Sequence, residues 1–171
     1  DAGIELPVYV GMRNWHPYLA DVMAEMGRAG LRRAIGFITA AHHSYASCGQ
    51  YKENVREARR RLRELGLPDV EVTYVESWYD HPGFVGTLAE HVRAAIERLE
   101  PPLRHKVRIV FTAQSIPVSM AESCRYREQL QTTARMVAEA LGRPDWALVY
   151  QSRSGRPQDP WLGPDINEYL K

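Results

Sequence analysis

Apolar positions along the chain follow two alternating rhythms. Short runs rich in Val, Ile, Phe and Tyr occur at Pro7–Gly11, Ala34–Thr39, Val70–Val75, Val107–Ala113 and Ala147–Tyr150. They lack strict apolar–polar alternation, which predicts parallel strands covered on both faces. Between them, apolar residues recur every three or four positions. Tyr18, Leu19, Val22, Met23 and Met26 mark one helix, which Gly30 closes as a C-cap. A second spans about Cys48 to Leu65, with an Arg/Glu face outward and Gly66–Pro68 as its stop. A third begins behind Asp80–Pro82 and carries Phe84, Val85, Leu88, Val92 and Ile96 on one side as far as about Leu99. The fourth runs from about Met120 to Leu141, ahead of Gly142–Pro144. Strands alternating with helices at this spacing predict an α/β fold of βαβ units, with parallel sheets and flanking helices.

The best internal boundary is Glu100–Pro102, where two prolines end a helix just before a new strand. It separates residues 1–100 from 101–171. A last helix opens at Asp165 with six residues to follow, too few to reach a further sheet, so the pattern is that of a chain cut at both ends.

Composition narrows the reading only a little. With 171 residues, 44% of them apolar, there is material for a real core. A net charge of +1 gives no electrostatic case for nucleic acid, and the cluster Arg56, Arg59, Arg60, Arg61 and Arg63 reads as the solvated face of a helix. No apolar run approaches the ~20 residues that span a bilayer, and no basic-then-apolar leader is present, so a cytoplasmic location is expected. Cys48 and Cys124 lie far apart without C-x-x-C spacing, so they suggest neither a zinc site nor a disulfide framework.

Ligands of open parallel sheets bind beyond the carboxyl ends of the strands, so the segments following each strand hold the candidate residues. Four stand out: Gly11–Pro17 with Arg13 and His16, Thr39–Ser44 with His42 and His43, Phe111–Pro117 with Gln114, and Tyr150–Gly155 with Arg153. Donors, cations and imidazoles suit an anionic ligand or a metal and specify nothing narrower. His42 and His43 are adjacent, so on extended chain they point to opposite sides and do not share a metal. No glycine-rich phosphate loop follows any strand, which argues against a nucleotide-binding domain.

Taken together, five segments resemble the ferrochelatase family, enzymes of haem synthesis that insert ferrous iron into a porphyrin, protoporphyrin IX or coproporphyrin III. They are Val8–Tyr18, Ser44–Tyr51, Glu76–Pro82, Phe111–Pro117, and Gln151–Gly155 followed by Pro160–Pro164. The resemblance implies two Rossmann-like domains enclosing a porphyrin cleft. Residues 1–100 match the later part of the first domain and 101–171 the earlier part of the second. It further implies Fe²⁺ and a porphyrin as substrates, and contact with a membrane surface or with other haem-pathway proteins.

Residue by residue, the family's metal-site histidine falls on Gln114, and its glutamate partner would lie beyond Lys171. Tyr51 matches a position whose hydroxyl binds a porphyrin propionate; an aromatic packing role is the alternative. Arg13 stands where the family carries a basic residue facing the cleft, able to pair with a propionate bidentately or to join a surface ion pair. Cys48 lies where some bacterial members, actinobacterial ones among them, place one ligand of a [2Fe–2S] cluster, and is otherwise a free thiol. Gln114 is the chemically consequential departure. An imidazole accepts a proton and ligates Fe²⁺ near neutral pH, whereas an amide offers a weak carbonyl oxygen and accepts no proton. A relative that holds porphyrin or haem without inserting metal is therefore a second reading.

Overall fold

The computed structural model describes residues 3, 5–156 and 158–171. Among the described residues, four short strands form two parallel pairs, one in each of two compact units. The first unit takes the described residues up to Ala40 together with Ala46–Glu76; the second takes Ala41–Tyr45 and Ser77–Lys171.

In the first unit, helix α1 (Leu19–Arg28) precedes β1 (Arg33–Gly36), and a π-helical turn over Tyr45–Gly49 leads into α2 (Gln50–Glu64) and then β2 (Glu71–Tyr74). β1 and β2 run parallel, Arg33 opposite Glu71 and Gly36 opposite Tyr74. The apolar stripes of both helices meet over one face of this pair. Val22, Met23 and Met26 of α1 pack with Val55, Ala58 and Leu62 of α2 and with Val70. Both helices end as their glycines predict. Gly30 (φ 76°) and Gly66 (φ 67°) take the left-handed conformation, letting Leu31 N–H reach Met26 O at 3.1 Å and Leu67 N–H reach Leu62 O at 2.9 Å.

The second unit holds α3 (Pro82–Glu97), α4 (Pro101–Arg104), β3 (Ile109–Gln114), α5 (Val118–Glu122), α6 (Tyr126–Ala140), β4 (Trp146–Gln151) and α7 (Ile166–Tyr169). The His81 ring caps α3, its Nδ1 accepting from Gly83 N–H at 3.1 Å. β3 pairs parallel with β4, from Ile109 opposite Trp146 to Gln114 opposite Gln151. Val85 and Ala89 of α3 pack on Val137 of α6 beside Phe111. A second cluster joins Ala113, Ile116, Ala121, Leu130, Tyr150 and Leu162. The last segment docks on β4: Tyr150 N–H donates to Pro164 O at 2.9 Å, and Asp165 caps α7 through Asn167 N–H at 2.8 Å.

The expected α/β class with parallel strands and flanking helices holds, and four details of the expectation do not. Residues 7–11 form no strand. Their backbone lines up beside no parallel neighbour among the described residues, and a strand without a ladder is only extended chain, with Val8 86% exposed. Among the described residues the β1–β2 pair is covered on one face rather than two, because α1 and α2 share the same side; Ile35 is 71% exposed. The helix expected over Met120–Leu141 breaks at Ser123–Arg125, where Ser123 Oγ and Cys124 Sγ donate to Met120 O at 2.8 and 3.2 Å in place of the next helical N–H. Pro101 and Pro102 open the short α4 rather than only ending α3, since prolines fit the first helical positions where no N–H is needed. No helix among the described residues is long and apolar enough to cross a membrane.

Candidate functional site

The candidates gather in two places, one in each unit. In the first unit, Arg13 follows a bridge in which Met12 N–H donates to Pro17 O at 2.8 Å and Leu19 N–H to Met12 O at 2.9 Å. This fixes the backbone beside α2. Tyr51 lies on the first turn of α2, and the Arg13 guanidinium carbon sits 5.5 Å from its ring centroid. Arg13 Nε donates to Asn54 Oδ1 at 3.0 Å. Arg13 and Tyr51, both half-buried, are thus brought together, a juxtaposition that their distance in sequence does not reveal. Four of the five clustered arginines form ion pairs on the outer side of α2: Arg56 pairs with Glu53, Arg60 with Glu57 and Glu64, and Arg59 and Arg63 with Asp69. Arg59 clasps Asp69 with two contacts of 2.8 Å, and this holds the Asp69 carboxyl below its usual range.

Cys48 is buried at 7% exposure near the end of the π turn. Among the described residues no three His, Cys, Asp or Glu side chains gather as a metal-binding set, and Cys124 belongs to the other unit. One cysteine could supply at most one of the four ligands that a [2Fe–2S] cluster needs, so the described residues do not by themselves fit such a group.

In the second unit, Gln114 ends β3 with its side chain exposed, opposite Gln151 of β4. Its backbone is held firmly: Tyr126 Oη donates to Gln114 O at 3.1 Å, and Ser115 N–H donates to Gln151 O at 2.7 Å. Burial raises the Tyr126 phenol pKa, so the hydroxyl stays a donor. The Pro160–Pro164 segment braces this turn, with Val118 N–H on Pro160 O and Leu162 N–H on Ile116 O, each at 3.0 Å. Trp161 anchors it in turn. Its ring lies so near Gly155 that a β-carbon there would stand 2.1 Å from a ring carbon, so the two C-terminal motifs interlock.

His42 points into the unit, its ring centroid 6.2 Å from Phe84 and 6.4 Å from Tyr126. Its Nε2 lies 2.9 Å from Thr133 Oγ1, and that hydroxyl has main-chain oxygens to donate to, Tyr79 O at 2.7 Å and Gln129 O at 3.1 Å. With the single hydroxyl hydrogen given to a carbonyl, Thr133 accepts from His42, which makes the neutral imidazole the Nε2–H tautomer. The neighbouring His43 N–H donates to Gln129 Oε1 at 2.6 Å. Gln129 and Thr133, 4% and 6% exposed, escaped the sequence reading. The available signal was two polar residues four apart within an otherwise apolar helical stripe.

Burial lowers the His42 pKa from the ordinary 6.5. The unfolded chain then binds the proton first as pH falls, so this contribution to stability is complete above 6.5 and is lost as pH drops through the lowered folded value. The full-length protein is expected to lose stability as pH falls below 6.5, and His42→Gln, which keeps an N–H donor toward Thr133, to flatten that slope. Urea midpoints across the range check this. Glu57, Asp69 and Glu128, held low by arginines, give their full contribution above 4.5 and lose it only below that, which leaves a separate acid limb in both proteins.

The ferrochelatase family model matches residues 1–171. The chain is similar to a ferrochelatase of Rhodopirellula baltica, 46% identical over 165 residues that cover 96% of this chain and 46% of the relative. It is similar also to coproporphyrin III ferrochelatases of Nocardia farcinica, 42% identical over 100% of the chain and 50% of the relative, and of Mycobacteroides abscessus, 43% identical over 99% and 48%. The chain spans about half the length of these relatives. With every residue inside the match and the strand-end segments folded as two braced parallel pairs, this chain belongs to the ferrochelatase family.

Proposed function

We propose that the protein carrying this chain binds a porphyrin and takes part in the insertion of Fe²⁺ into it, with coproporphyrin III as the substrate, as named for the Nocardia and Mycobacteroides relatives. In this reading residues 1–100 belong to the family's first domain and 101–171 to its second, and the protein acts in the cytoplasm. The observation that carries the reading is Arg13 laid over Tyr51: a cation and a phenol held side by side, suited to a propionate.

Insertion requires two pyrrole protons to leave and Fe²⁺ to be delivered. Gln114 occupies the histidine's position, and its amide does neither well. A base elsewhere must then accept the protons; a protein that holds porphyrin without metallating it is the second reading, and the amide at position 114 is the observation behind it. Cys48 serves an iron–sulfur cluster only together with ligands from outside residues 1–171.

The test uses the full-length protein. Coproporphyrin III binding is followed by fluorescence, and conversion to the metalloporphyrin with Fe²⁺ by absorbance. Insertion above the uncatalysed rate supports the enzyme reading. Tight binding without insertion supports the holding protein, and absence of binding overturns both.

A further inference from the structure

Arg13 differs from its neighbours in what holds it. Arg56, Arg59, Arg60 and Arg63 each meet a carboxylate, whereas no carboxylate among the described residues pairs with Arg13, whose hydrogen-bond partner is the neutral Asn54 amide. We propose that Asn54 is a positioning residue for an anion-binding Arg13: its amide oxygen and the Tyr51 ring together aim the guanidinium at a carboxylate of the ligand. This rests on the porphyrin reading, which supplies the carboxylates as propionates.

The geometry is that of a charge oriented without being neutralised. Asn54 Oδ1 occupies Nε, which leaves the Nη1/Nη2 end of the fork for a second, two-point acceptor. The Tyr51 ring covers one face of the guanidinium without adding a counter-charge. Tyr51 lies in line with Val55, Ala58 and Leu62, the stripe of α2 that is locked into the core, and Asn54, three residues on, stands at the edge of that stripe. The platform is therefore rigid although Asn54 itself is exposed. An aspartate at position 54 would hold Nε equally well and cancel the charge. Asparagine keeps the orientation and spares the charge for the ligand.

The test compares coproporphyrin III with its tetramethyl ester, which keeps the macrocycle and removes every carboxylate, on the full-length protein. The wild type is expected to bind the free acid more tightly than the ester. Asn54→Asp should weaken free-acid binding about tenfold and leave ester binding unchanged. Asn54→Leu, which frees the guanidinium to wander, should weaken it about threefold, with Asn54→Gln recovering part of the loss. Because position 54 is exposed, urea midpoints should stay at the wild-type value. Free-acid affinity unchanged in Asn54→Asp, or free acid and ester weakened in parallel, overturns the positioning role while leaving porphyrin binding intact. A wild type that binds neither compound overturns the porphyrin reading and this role with it.

Discussion

Gln114→His in the full-length protein is expected to raise the rate of Fe²⁺ insertion into coproporphyrin III by about 100-fold or more, the range in which a positioned general base acts. The substitution should cost the fold little. Residue 114 ends β3 with an exposed side chain, and what fixes it is backbone: the register with Gln151, the Tyr126 hydroxyl on its carbonyl, and the Pro160–Pro164 brace beyond it. A change of side chain leaves all of these in place, so stability should move by no more than about 0.5 kcal/mol. The imidazole titrates near neutral pH and can take a pyrrole proton or hand over the metal, which glutamine cannot. The gain should appear in kcat with KM unchanged, because the new interaction forms with protons in flight and not with the resting porphyrin. Stopped assays of metalloporphyrin formation measure it. Equal rates for the two proteins would show that the base resides elsewhere in the site and that position 114 only lines it.

What the sequence reveals here is whatever local physics decides. The helical stripes of α1, α2 and α3 and the glycines that end the first two are written in spacing and in φ, and they appear where expected. The solvated arginine face is equally local, since most of its partners lie three or four residues away on the same helix. Pairing is not local. Residues 7–11 have the composition of a strand, but a ladder needs a neighbour that composition does not supply. The break at Ser123–Arg125 comes from side chains competing for one carbonyl, a contest that apolar periodicity does not register. The candidate site divides in the same way. Gln114, Arg13, Tyr51 and Cys48 are marked by resemblance to the family, whereas Asn54, Gln129 and Thr133 owe their roles to partners distant in sequence: Arg13, the backbone of His43, and the carbonyl of Tyr79. A polar residue on a helix looks the same whether it meets water or a buried partner.

Leu62→Ala is expected to destabilise the first unit by about 2 to 5 kcal/mol, the cost of removing a buried leucine and leaving a cavity. Leu62 is 1% exposed and its side chain lies against Gly27 of α1. A β-carbon at Gly27 would lie 3.0 Å from Leu62 Cδ2, so the glycine is what lets the leucine in. That contact yields a sharper test than the single change. With Leu62 cut to alanine, Gly27→Ala places a methyl group in the vacated space and gains about 1 kcal/mol of helix propensity. The double variant should therefore be more stable than Leu62→Ala alone, with a coupling of about 1 kcal/mol between the sites. Leu62→Met, which conserves volume, should cost less than about 1.5 kcal/mol. Urea titration of the full-length wild type, Leu62→Ala, Leu62→Met, Gly27→Ala and the double variant reads these effects. Because Leu62 shares α2 with Tyr51 and Asn54, the Leu62→Ala protein should also lose free-acid porphyrin affinity before it unfolds, as the platform under Arg13 loosens. Full affinity retained at the same loss of stability would mean that the first turn of α2 is held by its own contacts rather than by the core beneath it.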